Sequence, residues 1–415
     1  MEALVTDTAD SAAPTEDTAE LPGFPMPRRC PFDLNEQYAE LREEAPITPV
    51  ALASSRDAWL VTSHEHVRTL FLDPRLSADG THPTFPILAP RRKSFDEQAK
   101  GFLPWMDPPE HTRYRRMLIN EFTVRRIRAM RPRVQAVVDA CIDRMLAGPR
   151  PADLVQALAL PVPSQTICDV LGVPYEDLDH IQDRAQVMVS KVHPPEERAA
   201  ALRDLRTYLG ELLHRKAAEP ADDTLSRLVA RHRAAGADDH DHLTGLALLI
   251  LIGGYESTAS TIALGTVALL AHPEQADALR ADPSLAPKAV EELLRFFSVA
   301  DNVTSRVSLE DVEIGGVTIR KGQGVLLSNA AANRDAAVFP EPETLDVHRD
   351  ARQHMAFGYG IHQCLGQNLA RLELDVVFST LLERVPGLRL AVPVDDLPFK
   401  DDAIMYGIHE LPVTW

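Results

Sequence analysis

The chain has few cysteines. Cys30, Cys141, Cys168 and Cys364 are the four in 415 residues, and no two stand in a CxxC spacing. That scatter excludes a disulfide framework and a thiolate zinc site, and it fits a reducing cytoplasm. Cys141 and Cys168 lie in apolar helical contexts and are expected to be buried small hydrophobes. Positive charge is also short: 43 Lys and Arg face 61 Asp and Glu, a formal net charge of -18. Phosphate binding needs a basic face, so nucleic acid is excluded as a partner, and so is an anionic membrane surface. The opening MEALVTDTADSAAPTEDTAELPG lacks a basic n-region and an apolar h-region, so it does not read as a signal peptide. Residues 1–23 are expected to be a disordered acidic lead-in, with one large domain over 24–415. There is no internal repeat and no flavin or nicotinamide fingerprint.

Hydrophobic residues make up 45% of the chain, ample for a sizeable core. The longest apolar stretch, 243–272, has the length of a membrane span. Gly253-Gly254 and Glu256 interrupt it, and Asp241 and Glu274 flank it without a basic or aromatic belt, so it reads as a buried central helix. Around it the patterning is mostly helical. Helices are expected at 36–45 and 64–72, nearly throughout 109–275, at 287–297 and at 365–384. Strand-like runs are ITPVAL, AWLVTS, the alternating segment 302–326 and the proline-broken end 388–415. The segment 78–104 reads as a long loop of the kind that binds ligands. The expected fold class is therefore mainly α, with small β elements near the start and after residue 300.

The most informative segment runs from Phe357 to Gly366, FGYGIHQCLG. Glycines surround a single cysteine just ahead of an amphipathic helix, and glycine permits backbone paths that let a loop lie against a large planar ligand. A cysteine at a helix start is expected to favour the thiolate, because the helix dipole and free N–H groups stabilise negative charge. A thiolate is a good iron ligand and donates electron density that favours O–O cleavage. On the residues alone, a buried cysteine in a glycine-rich turn is an equal reading.

Phe357, Gly360, His362, Cys364 and Gly366 resemble the haem-binding signature of the cytochrome P-450 superfamily, and further motifs follow in the family's order over about 35–410. Glu292 and Arg295 match its Glu-x-x-Arg, which the resemblance makes a structural network. Thr344 stands where many relatives place the network's third arginine, leaving Arg349 or Arg334 to serve. The run DPPEHTRYRR at 107–116 implies that His111 and Arg115, one helical turn apart, bind haem propionates. Arg306 and His362 resemble further propionate ligands. GGYEST at 253–258 matches the family's acid–alcohol segment, so Glu256 and Ser257 are expected to relay protons to dioxygen as it is reduced. Ser257 departs from the usual threonine, losing the methyl that fixes the rotamer.

The resemblance implies a haem-thiolate monooxygenase with heme b (iron protoporphyrin IX), the 24–415 unit being its P-450 catalytic domain. Cys364 would be the metal ligand, and O2 and a small hydrophobic molecule the substrates. Electrons would come from a ferredoxin and an NAD(P)H-dependent reductase, which an exposed arginine patch (Arg113, Arg116, Arg125, Arg126, Arg128) would receive. The protein would be a cytoplasmic monomer. The sequence most resembles actinobacterial members that tailor secondary metabolites, implying a polyketide, macrolide or peptide-like substrate. Gly253, Val299, Ile404 and Met405 are candidate substrate contacts. Oxidative coupling or peroxide-driven chemistry on the same haem is the alternative, and a non-catalytic haem sensor a third.

Overall fold

The apolar stretch at 243–272 becomes the axis of the molecule. Helices His240–Gly253 and Glu256–Ala271 follow one another, with a turn at Gly254 and Tyr255. By length and composition the run could cross a membrane, yet 67% of its apolar window is buried inside the protein. Its hydroxyls enter the core because they bond backward: Thr261 Oγ1 donates to Ser257 O (2.8 Å) and Thr266 Oγ1 to Ile262 O (2.8 Å). The computed structural model describes residues 21–28, 32–52, 57–88, 100–189, 193–236, 239–300, 304–400 and 405–415. The expected lead-in at 1–23 therefore lies almost wholly outside the described residues.

Helix Gln367–Arg384 packs against Glu256–Ala271, Ala286–Phe297 and Arg131–Ala147. Gly265 makes the first contact possible, since a Cβ there would stand 2.5 Å from Phe378 Cζ. This crossing fixes the loop before residue 367 relative to the central axis. Helices Pro161–Leu171 and Pro195–Ala218 pack on the other half, His240–Gly253. Cys141 and Cys168 are buried among the apolar side chains of this one large core, as expected.

The β elements sit at one side. A six-stranded sheet has the order Gly23–Phe24, Ile47–Leu52, Asp57–Val61, Gly324–Leu327, Ser305–Ser308, Leu76–Ser77. Arg306 pairs with Val325 across an antiparallel ladder, on a strand buried throughout. A three-stranded sheet ties Pro412–Thr414 to Arg389–Leu390 and Ala152–Asp153, and Val312–Ile314 pairs with Val317–Ile319. The protein is thus mainly helical with small sheets, as the patterning implies.

Candidate functional site

The cysteine loop is held by its own backbone. Cys364 N–H donates to Phe357 O (2.8 Å), Gly358 N–H to Met355 O (2.8 Å) and Gln363 N–H to Gly360 O (3.1 Å). Gly358 and Gly360 are left-handed (φ 66° and 73°), and a Cβ on Gly360 would also stand 3.0 Å from Phe71 O. A Cβ on Gly366 would meet nothing within 4 Å. Cys364 is surrounded by protein atoms, yet its side chain keeps accessible surface. The helix starts at Gln367, three residues on.

That placement sets a second effect against the helix start. Burial pushes the Cys364 thiol up, while the Gly366 N–H, the charges of Arg115 and Arg371 and the Gln367 N–H pull down. Desolvation outweighs the helix start, so the protein without a metal favours the thiol. A bound cation reverses that balance, because a coordinating thiol gives up its proton.

Four basic groups converge near this loop. His111 and Arg115 share a face of helix Glu110–Leu118, and the His111 ring lies 4.2 Å from that of His362. Arg115 Nη2 donates to Gln363 O (2.5 Å). Arg306 donates to Ser305 O (2.7 Å), with its guanidinium 5.8 Å from the Phe71 ring centre. Neither ring nitrogen of buried His111 has a hydrogen-bond partner among the described residues. Burial, then Arg115, lowers His111 to about 4; burial, then Arg306, lowers His362 to about 2; burial lowers Arg306 to about 10. The acid that opposes this at His111 and Arg306 is Asp107, which is engaged by Ser77 Oγ and the Ala78 N–H. Buried charges of one sign are costly unless an anion joins them. A pair of carboxylates on a planar ligand, as on haem, fits this donor set.

Behind the loop, Glu292 and Arg295 are fully buried, with Arg295 Nε 2.7 Å from Oε2 and Nη2 2.8 Å from Oε1. The third member is Arg349, whose Nε reaches Glu292 Oε1 at 3.1 Å. Arg334 serves elsewhere, donating to Phe296 O (3.0 Å) and Phe32 O (2.8 Å). Thr344 contributes its carbonyl to both Arg295 (3.4 Å) and Arg349 (3.1 Å), so its side chain is immaterial.

Sequence reasoning missed a second cluster. Glu291 accepts from Arg371 (2.5 and 3.0 Å) and pairs with His354 Nε2 (3.1 Å), and Arg371 lies 4.6 Å from the Phe357 ring centre. Burial raises the Glu291 carboxyl, but hydrogen bonds from His354 and Arg371 bring it down to about 2. The doubled acid Glu291-Glu292 was the available signal.

On the central axis, Gly254 lies against Ile167, where a Cβ would stand 2.6 Å from Cδ1, while a Cβ on Gly253 would meet nothing within 4 Å. Ser257 Oγ donates back to Gly253 O (3.1 Å), across the break. Glu256 is buried, and Lys400 Nζ stands 3.6 Å from its Oε1. Val299 O accepts from Tyr406 N–H (3.0 Å), and Met405 is half-buried beside that junction. Ile404 lies outside the described residues, as do 89–99 of the long loop.

A glycine-lined cysteine near a buried arginine and a buried histidine with open ring nitrogens is the setting of a haem bound through sulfur. The model of the family "Cytochrome P450" matches residues 214–386. Cytochrome P450 105A3 of Streptomyces carbophilus is 48% identical over 412 residues, covering 99% of this chain and 100% of the relative. Pentalenic acid synthase of Streptomyces avermitilis is 48% identical over 392 residues, covering 94% and 97%. Among solved structures, cytochrome P450 MoxA from Nonomuraea recticatena superposes with a TM-score of 0.89 at 52% identity, covering 95% of this chain and 98% of that one. The mycinamicin VIII C21 methyl hydroxylase of Micromonospora griseorubida, bound to mycinamicin VIII, gives 0.89 at 42%, covering 95% and 100%. The chain belongs to the cytochrome P450 family. It is a haem-dependent monooxygenase of the bacterial tailoring type, acting on a small molecule with O2 and redox partners.

Proposed function

We propose that this enzyme hydroxylates or epoxidises a hydrophobic secondary metabolite of polyketide, macrolide or peptide-like kind, using electrons from a ferredoxin and its NAD(P)H-dependent reductase. Haem b, when bound, supplies the redox chemistry that splits O2, one atom entering the substrate and the other leaving as water. Cys364 is the metal ligand. His111, Arg115, Arg306 and His362 hold the propionates, and Phe357, Gly360 and Gly366 shape the loop beneath the ring. Glu256 brings protons in and Ser257 hands them on across the opening at Gly253. Gly253, Val299, Ile404 and Met405 contact the substrate. Exposed Arg113, Arg116, Arg125, Arg126 and Arg128 receive the ferredoxin, supported by the exposed apolar side chains of Leu72 and Ile361 near the cysteine loop. The 24–415 unit acts as a cytoplasmic monomer.

The observation that carries this reading is an accessible cysteine near a buried histidine, neither of whose ring nitrogens has a hydrogen-bond partner among the described residues. The test compares wild type with Cys364→Ser. The reduced carbon-monoxide complex of wild type shows the red-shifted band of sulfur ligation, and the variant loses both band and turnover. A variant that keeps the band overturns the ligand assignment. Candidate metabolites that shift the Soret band are then turned over with ferredoxin, reductase and labelled oxygen. A product without the label favours oxidative coupling instead.

A further inference from the structure

Glu256 has a partner that the motif around it does not contain. It is the first residue of helix Glu256–Ala271 and is buried there. Lys400 comes from the other end of the chain, in a hairpin seated on the same helix. Lys400 N–H donates to Gly407 O (2.8 Å), Phe399 bridges Ile408, and the Phe399 and Tyr406 rings stack at 6.0 Å with 7° between planes. Gly407 fits so tightly on the helix that a Cβ would stand 2.6 Å from Ser260 Oγ. The ammonium is therefore delivered in one register, 3.6 Å from Glu256 Oε1, with 18% of its side chain still exposed.

We propose that Lys400 is a positioning residue for the relay: it holds the Glu256 carboxyl turned toward the 399–408 pairing, on the side where solvent can reload it, and favours release of its proton. The inference rests on the relay role assigned to Glu256 above. Two opposing effects act on that acid. Burial pushes the carboxyl up and outweighs the downward pull of the Lys400 charge, so the acid lies above its ordinary range even with the ammonium 3.6 Å away. Tyr255, the neighbouring phenol, is itself raised by burial and by the Glu256 charge; it stays neutral and offers the acid no counter-charge. Removing Lys400 leaves desolvation unopposed. The acid then holds its proton more tightly and loses its fixed direction.

The test uses the haem-loaded enzyme as Lys400→Met, Lys400→Arg and Glu256→Gln. Infrared difference spectra across pH read the protonated carboxyl of Glu256, assigned by its absence in Glu256→Gln. In Lys400→Met its midpoint rises by about one unit or more, and Lys400→Arg restores it. Product formed per NAD(P)H falls about tenfold in Lys400→Met, peroxide taking its place, while the substrate-induced Soret shift keeps its midpoint. An unchanged infrared midpoint with wild-type coupling in Lys400→Met overturns the inference even if Glu256→Gln is uncoupled. Wild-type coupling in Glu256→Gln overturns the relay reading itself and the Lys400 inference with it.

Discussion

Two buried arginines, Arg295 on a helix and Arg306 on a strand, do opposite things. Arg295 spends its guanidinium on the protein: two hydrogen bonds to Glu292 and others to Asn333 O (2.9 Å), Pro342 O (2.8 Å) and Thr344 O (3.4 Å). Arg306, also buried, makes one hydrogen bond among the described residues, to Ser305 O. Burial lowers Arg306 well below its ordinary range. The first arginine is a tie between helix and loop. The second is a receptor held ready for an anion that the chain does not supply. Satisfaction of the donors, not burial, separates structural charge from functional charge here.

Breaking the tie has the largest expected effect. Arg295→Met strands the Glu292 carboxylate in the core with only Arg349 and the Asp346 N–H, both on Oε1, to answer it among the described residues. The cost is about 3–5 kcal/mol, enough to prevent accumulation of folded, haem-loaded protein. Denaturant unfolding of the haem-free variant measures it. A loss under about 1 kcal/mol would mean that Arg349 and the surrounding carbonyls carry the network without Arg295.

Breaking the receptor sharpens the contrast. Arg306→Leu removes a buried cation that has little to hold it, so the haem-free protein keeps its stability or gains some. Haem retention moves the other way, weakening about tenfold or more as a charge-assisted bond to a propionate is lost. Haem transfer to an acceptor protein reads retention. Equal loss of stability in both variants would erase the distinction between the two arginines.

Much of this was legible in the sequence because it is local. The cysteine loop, the Glu-x-x-Arg pair and the His111–Arg115 turn are fixed spacings on single elements. The helical body and the small sheets followed from periodicity and from proline and glycine breaks. What escaped depends on distant segments. The choice of Arg349 over Arg334 rests on a contact across 57 residues, Arg371 joins Glu291 across 80, and Lys400 meets Glu256 from the far end of the chain. The burial that opposes the thiolate at Cys364 escaped for the same reason. A helix start is visible in sequence, whereas the desolvation that outweighs it comes from the whole fold.

The smallest effect separates the two clusters by pH. His111 titrates at about 4 in the fold against an ordinary 6.5, because burial and then Arg115 disfavour its charged form. Below the ordinary value the unfolded chain takes up a proton that the folded chain refuses. Stability of the haem-free protein is therefore intact above that value and is lost as pH falls toward the folded one, by about 2 kcal/mol at roughly pH 5. His111→Gln cannot take up that proton, so its unfolding free energy changes less between about pH 7.5 and 5. Propionates supply the counter-charge that the cluster lacks, so haem-loaded wild type shows the flatter profile as well. Parallel profiles for haem-free wild type and His111→Gln would mean that His111 is charged in the fold, and that the four basic groups find their anion within the chain.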